Sequence, residues 1–496
     1  MGTMTFLLSP GLAPDHLREL EHSCIAGGPD NMPWPTVSQV ESSRVILKRE
    51  VEESGYLLAP WPIGGVGQVM ISSATLMERA TPFQMVVELA RGKINRIRNQ
   101  VADWRAGGLL VPADLDREIL ESSLAFGRAV TTGSPEESSR LAQDVLMRGC
   151  RAAGEMVRAY TEQVFAIRHQ RQPKLDSGLA CRLGSQPPAA PLDAALAKAC
   201  NTVGIPMSWN HIESEEATFR WDEYDALVDW AVARGLSITA GPLIDFSSAQ
   251  LPAWLWLWEN DLPSMATFMC KFIEATVRRY RQKVRRWQLT AASNYATVLH
   301  LNEDELLGLT YRLADAARQV DPSIEVVVGV SQPWGEYMGL EDRTHSPFIF
   351  ADTLIRSGLN LALLDVELVM GVNGRGSYAR DALDTSRMLD MYALLGVPVR
   401  VTMAYPSAAG TDHDADPEMR VGAGCWGGPF SPEVQAEWAV SFTSLALCKP
   451  FIQGVQWGHF SDAEPHQFPH CGLVDTEGKP KPALLRLREL REEHLV

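Results

Sequence analysis

Acidic side chains at the ends of apolar runs are the residues of this chain best placed to move protons or hold hydroxyl groups. Glu367 closes Leu364-Asp365-Val366-Glu367, and Glu336 lies in Ser331-Gln332-Pro333-Trp334-Gly335-Glu336-Tyr337. Asp245 ends Gly241-Pro242-Leu243-Ile244-Asp245, Asp462 follows Gly454-Val455-Gln456-Trp457, and Glu213 belongs to an earlier loop. Period-two alternation sets Glu367 opposite in sense to Val366 and Leu368 on an otherwise apolar strand. A carboxylate buried in that way needs a partner. Read structurally, Glu367 pairs with a nearby Arg or a Trp N–H; read functionally, it is a general acid or base or a ligand to hydroxyls. Glu336 and Glu367 come from neighbouring strands, and two carboxyls close enough to share a proton favour one neutral and one ionised group. Asp245 and Asp462 read as hydroxyl-binding or structural acids.

A second group mixes acids with imidazoles. His459, His466 and His470 surround Asp462, and the long segment Ala404 to Gly428 carries Asp412, His413, Asp414 and Asp416. Metal sites need ligands fixed by rigid elements. These lie side by side on loops, so hydrogen bonding is the reading adopted, with no metal and no cofactor expected. The eight cysteines have no CxxC spacing, which points to reduced thiols in a cytoplasm.

The elements that would position these groups fall into three stretches. Residues 1–80 alternate short β-like runs (Thr5-Phe6-Leu7-Leu8, Arg44 to Lys48, Tyr56 to Ala59, Gln68 to Ser72) with Gly/Pro turns, as in a β-rich, sandwich-like module. Residues 81–171 read as helices: apolar Ile94, Ile97, Val101 and Trp104 are closed by Gly107-Gly108, a second helix runs from about Ala113 to Val130, and Ser134-Pro135-Glu136-Glu137 opens a third with capping-box chemistry. From 172 to 496 the rhythm is strand, loop, helix. Strands are expected near Gly178–Leu183, Thr202–Pro206, Ser237–Leu243, Arg286–Ala291, Glu325–Val330, Leu361–Leu368, Val399–Met403 and Gly454–Trp457. Eight parallel βα units in this length predict one closed (β/α)8 TIM barrel of the α/β class. No run reaches the ~18 apolar residues of a membrane span, and Met1 to Pro10 lack a basic leader, so no signal peptide is expected. A formal charge of −16 without a basic stripe argues against nucleic acid and anionic membranes as partners.

Three ordered stretches carry a family resemblance. The first runs from Met207-Ser208-Trp209 through Phe219-Arg220-Trp221, Asp225 and Trp230-Ala231 to Gln250-Leu251-Pro252-Ala253-Trp254. The second is Val277-Arg278-Arg279-Tyr280 through Lys283-Val284 to Trp287, and the third is Gly454 to Gly458 through Ser461-Asp462 and Gly472-Leu473-Val474-Asp475 to Lys481-Pro482-Ala483. From about residue 178 to 487 the chain thereby resembles glycoside hydrolase family 10, the xylanase family of retaining barrel enzymes. The resemblance implies one glutamate after the fourth strand as acid and another on the seventh as nucleophile, roughly 5 to 5.5 Å apart. The first place holds Ala292 and the second Met403, and the third strand end has no histidine. Neither a methyl nor a thioether transfers protons or forms a glycosyl ester. Asn302-Glu303 repeats the family dipeptide but opens an acid-rich helix start, where capping is the better reading.

The resemblance makes sugar the expected partner. Trp209, Trp254, Trp256, Trp258, Trp334, Trp426 and Trp457 lie at or after predicted strand ends, where flat rings pack on pyranose faces; the alternative is that they fill space between loops. Substrate contacts are assigned to Trp209, Asp245, Asn294, Trp334, Tyr405, Trp457, His459 and Asp462, and acid/base work to Glu336 and Glu367. An inverting pair would stand roughly 6.5 to 9.5 Å apart. The expected function is a carbohydrate-active barrel with a cleft for oligo- or polysaccharide, cleaving through these two acids. Its alternatives are a pseudoglycosidase that only binds and a scaffold whose N-terminal module mediates assembly. The sequence leaves the oligomeric state open.

Overall fold

A computed structural model describes residues 2–28, 30–246, 251–297, 299–341 and 343–496; Gln250 of the first resemblance stretch lies outside the described residues. Eight parallel strands form the barrel: β1 (Gly178–Arg182), β2 (Thr202–Ile205), β3 (Ser237–Ala240), β4 (Arg286–Ala291), β5 (Glu325–Val330), β6 (Leu363–Val369), β7 (Val399–Ala404) and β8 (Ile452–Trp457). Each pairs with the next, and β8 returns to β1, so the sheet closes. A short extension of the third strand, Ile244–Asp245, pairs with Thr290 and Ala291 and carries Asp245 to the mouth. All eight strands stand where the sequence predicts them.

The strands are buried on both faces, with apolar residues outward and several polar residues inward. Outward residues such as Val326, Val328, Leu364, Val366 and Val401 join the layer beneath the helices. The lumen is polar. Arg400 reaches Asp365 (Nε to Oδ1, 2.9 Å) and Gln288 (Nη2 to Oε1, 2.7 Å), while Thr402 donates to Asp365 at 2.8 Å and Gln456 to Thr402 at 3.3 Å. Glycine makes room for it: a Cβ on Gly204 would lie 2.7 Å from the Gln456 amide oxygen.

Before the barrel, Gly2–Leu7, Val37–Val40, Arg44–Arg49 and Phe83–Gln84 form one sheet. A hairpin of Gly55–Ile63 and Gly67–Leu76 forms another with Cys24–Gly27 and Met32–Pro33. Helices Met85–Ala106, Ala113–Thr131 and Pro135–Arg171 follow, and Ser134 caps the last by accepting the Glu137 N–H. Strands and helices share one apolar core, in which Phe6, Leu47, Leu57 and Ile71 meet Leu89, Ile94, Val145 and Leu146. The helical stretch is thus part of the β module's core as well as a link to the barrel. It also grips the barrel directly: fully buried Lys93 pairs with Asp381 at 2.5 Å and lies 3.8 Å from Asp384, at the start of helix Ala382–Ala393. No helix among the described residues is long and apolar enough to cross a membrane.

Candidate functional site at the barrel mouth

Glu367 points into the lumen at the end of β6, on the same face as Asp365. It is 5% exposed and forms an ion pair with Arg375, Nε to Oε1 at 2.6 Å. The same guanidinium donates through Nη1 to Asp245 at 2.7 Å. One buried arginine therefore bridges the acids that end the third and sixth strands. Burial pushes the Glu367 carboxyl up to about 6, with Arg375 opposing the rise and Asp245 adding to it. Burial also works against the Arg375 cation, but Asp245 and Glu367 outweigh it and hold the guanidinium charged.

Glu336 lies in a 3-10 turn, Glu336–Gly339, beyond β5. Its Oε1 pairs with Arg380 at 2.6 Å, and its Oε2 accepts the backbone N–H of Tyr378 at 2.9 Å. The Arg380 guanidinium sits over the Trp334 ring, 4.7 Å from the centroid. Arg375, Tyr378 and Arg380 belong to one short segment after β6, so a single loop holds both candidate acids by separate arginines. Each acid has its own cation, and the loop does not bring Glu336 and Glu367 together as a mutual pair. Sequence reading missed these arginines; the available signal was the run Arg375-Gly376-Ser377-Tyr378-Ala379-Arg380 following a strand with an unpaired buried acid.

The N-terminal module docks on this loop. Tyr378 donates its hydroxyl to Glu19 (2.6 Å), Met70 donates its N–H to the Ala379 carbonyl (2.8 Å), and Thr36 does so to Gly339 (3.0 Å). Cys425–Trp426, from the segment after β7, adds an antiparallel strand to the edge of Gly67–Leu76. Between module and mouth lies a cavity of about 180 Å³, walled on the barrel side by Tyr295, Gln332, Glu336 and Arg380.

The two places that the resemblance assigns to the family's acids hold Ala292 and Met403. Ala292 is buried just past β4 with φ +49°. Met403 departs from the expected placement. Because Arg400 and Thr402 face the lumen, Met403 faces outward, and its sulfur accepts from Thr443 of helix Pro432–Cys448 at 3.7 Å. Strand parity thus gives the inward places at the end of β7 to Thr402 and Ala404, and neither offers a carboxyl. Asn294 clamps the end of β5, accepting the Ser331 N–H (2.9 Å) and donating to its carbonyl (3.0 Å) and to Tyr337 (3.1 Å). Asn302 caps helix Glu303–Val320 in a capping box with Glu305, as its acid-rich start predicts.

Three aromatic residues expected to meet sugar have no free ring face. Trp457 donates to the Cys471 carbonyl and packs edge-on against Trp438. Trp209 donates to Glu213 and stacks on Phe272; Tyr405 stacks on Trp438 and bonds to the Trp426 backbone. Their placement fixes loops rather than a cleft wall. Trp254 donates to the Glu213 carbonyl, whereas Trp256 is 40% exposed.

Asp462 accepts from His459 (2.9 Å) and the Gly472 N–H (2.6 Å) and pairs with Lys481 (2.5 Å). Burial would raise its carboxyl, but these partners hold it well below the usual range. Burial likewise pushes His459 down to about 4, against the pull of Asp462. His459, Asp462 and His466 offer ligand atoms within 4.8 Å of one another. A cation there would compete with the Lys481 ammonium. His466 also has both nitrogens engaged, one facing the Glu464 carbonyl (2.8 Å) and the other Asp412 (3.0 Å). The cluster ties the long segment after β7 to that after β8.

The glycosyl hydrolase family 10 model matches residues 180–294, from β1 to just past β4. That match and the closed eight-stranded parallel sheet agree on the fold. The barrel is family 10-like. Endo-1,4-beta-xylanase 3 of Hypocrea jecorina is 27% identical over 129 residues, which cover 25% of this chain and 35% of that enzyme. Native xylanase 10B of Thermotoga maritima superposes with a TM-score of 0.49 at 14% identity, covering 65% of this chain and 97% of that one. A family 10 structure from Paenibacillus barcinonensis gives 0.49 at 18% identity, covering 66% and 98%.

Proposed function

We propose that this family 10-like protein binds carbohydrate at its barrel mouth without cleaving glycosidic bonds. The observation that carries the reading is Arg375. It pairs with Glu367 and Asp245 together, and Arg380 pairs with Glu336. Cleavage needs one carboxyl to protonate the leaving oxygen and a second to attack or to activate water; here Glu336 and Glu367 are each engaged by a separate arginine and do not face one another as such a pair. Acceptor oxygens, guanidinium donors and the half-buried Trp334 beside Arg380 suit recognition of hydroxyls and ring faces. The relatives' name makes β-1,4-linked xylo-oligosaccharides the first ligands to try, followed by other oligo- and polysaccharides. Calorimetric titration over that panel is expected to give saturable binding; absence of binding to every saccharide would favour the scaffold reading.

One observation favours a divergent hydrolase as the second reading: burial brings the Glu367 carboxyl up to about 6, within reach of a general acid. Its linkage to stability is measurable in either case. An acid with a raised folded pKa contributes stability fully below its unfolded value of 4.5, and that stability is lost as pH rises through about 6. The loss is on the order of 2 kcal/mol at ~1.4 kcal/mol per unit. Glu367→Gln removes the titration, so its stability relative to wild type is expected to improve between pH 4.5 and 6.5. Denaturant curves across that window check this; parallel pH profiles would contradict it.

A further inference from the structure

We infer that the cavity between the N-terminal module and the barrel mouth is a pocket for one pyranose-sized neutral polyol, either a free monosaccharide or the terminal unit of a glycan. The inference rests on the carbohydrate reading and narrows it from a cleft that a polymer crosses to a pocket that an end enters. Size is the first argument. About 180 Å³ lies below the ~300–1,000 Å³ of sites that take larger ligands, which suits a small molecule or one end of a longer one.

Construction is the second argument. The pocket has walls from both parts of the chain, and its module side, with Ser23, Thr36 and Leu58, is fixed to the barrel by the Tyr378–Glu19, Met70–Ala379 and Thr36–Gly339 hydrogen bonds. The module thus contacts the loops after β5, β6 and β7.

Polarity is the third argument. Glu336, Arg380, Gln332 and Asn373 give the cavity a polar lining beside its apolar one. Hydroxyls of a polyol can donate to the Glu336 carboxylate and accept from the amide groups on the same lining. The permanent charges of the lining, Glu21, Glu336 and Arg380, leave a net negative sign, which disfavours an anionic ligand.

The test uses the full chain and a panel of methyl pyranosides (xyloside, glucoside, galactoside, mannoside) beside xylohexaose, with calorimetry for affinity and saturation-transfer NMR for the bound protons. At least one methyl pyranoside is expected to bind, and a hexaose that binds is expected to show saturation confined to a terminal unit. Binding of the pyranoside alone identifies a free monosaccharide; binding of both identifies a chain end. Ala423→Phe fills the pocket, and Leu340→Arg blocks its rim from a position that is 84% exposed and safe for folding. Each is expected to weaken binding tenfold or more. Saccharide binding unaffected by Leu340→Arg and by a folded Ala423→Phe, or saturation along internal units, would overturn the pocket while leaving carbohydrate binding intact. Failure of every saccharide to bind would overturn both.

Discussion

Arg375→Met is expected to destabilise the protein by about 3–5 kcal/mol at pH 8, the typical cost of breaking a buried ion pair from one side. The guanidinium is the shared cation of Glu367 and Asp245, and all three groups are buried. Methionine fills comparable space but leaves both carboxylates without it. The deficit should depend on pH with a defined sign. Loss of the cation raises the Glu367 carboxyl further above its value of about 6, so in acid the group is neutral and the penalty shrinks, while above neutrality it must ionise uncompensated or hold its proton at a cost. Urea unfolding at pH 5 and pH 8 reads this directly. A penalty independent of pH would show that Arg375 matters for packing alone. Adding Glu367→Gln to the variant should recover part of the loss at pH 8, by the logic of a double-mutant cycle.

Lys93→Met is expected to cost a similar ~3–5 kcal/mol, through a different part of the molecule. Lys93 leaves helix Met85–Ala106 to meet Asp381 and Asp384, with Arg96 also pairing to Asp384 at 2.9 Å. Burial opposes the ammonium, but the two aspartates outweigh it and keep the lysine charged. In return, Lys93 and its neighbouring arginines overcome burial at Asp384 and bring its carboxyl to about 2. Without Lys93 the most exposed deficit is at Asp381, whose other oxygen caps helix Ala382–Ala393 by accepting the Asp384 N–H. Lys93→Met with Asp381→Asn keeps that cap and removes the orphaned charge, so it should recover most of the stability. If the single variant unfolds like wild type, the grip of the helical layer on the barrel comes from apolar contacts instead.

Much of the architecture is written locally in the chain. The barrel strands appear as short β-like runs between loops, apolar at least on alternate residues, and the cap chemistry of Ser134 and Asn302 marks helix starts without outside help. Glu367 was legible as an inward acid needing a partner because strand alternation and burial are short-range consequences of sequence. Its partner was not. Arg375 reaches Asp245 across 130 positions, a pairing that only barrel closure creates. Tryptophan at a strand end was an ambiguous signal for the same reason: Trp457 and Trp209 occupy expected positions, but their indoles turn toward Trp438 and Phe272. Met403 shows the parity limit most clearly, since one residue of register decides whether a side chain meets the lumen or the helices. Nor did the sequence tell that the N-terminal module would dock on the mouth, because those contacts run largely through backbone groups of Met70, Thr36 and Ala379.

The central claim is recognition without cleavage, and it is tested most directly by following the anomeric proton signals of a saccharide shown by titration to bind, during prolonged incubation with the protein. The account predicts an unchanged spectrum, with no new reducing ends formed at any pH from 5 to 8, whether or not Glu367 is replaced. New reducing ends that accumulate with wild type and vanish with Glu367→Gln would contradict it and establish the barrel as a hydrolase.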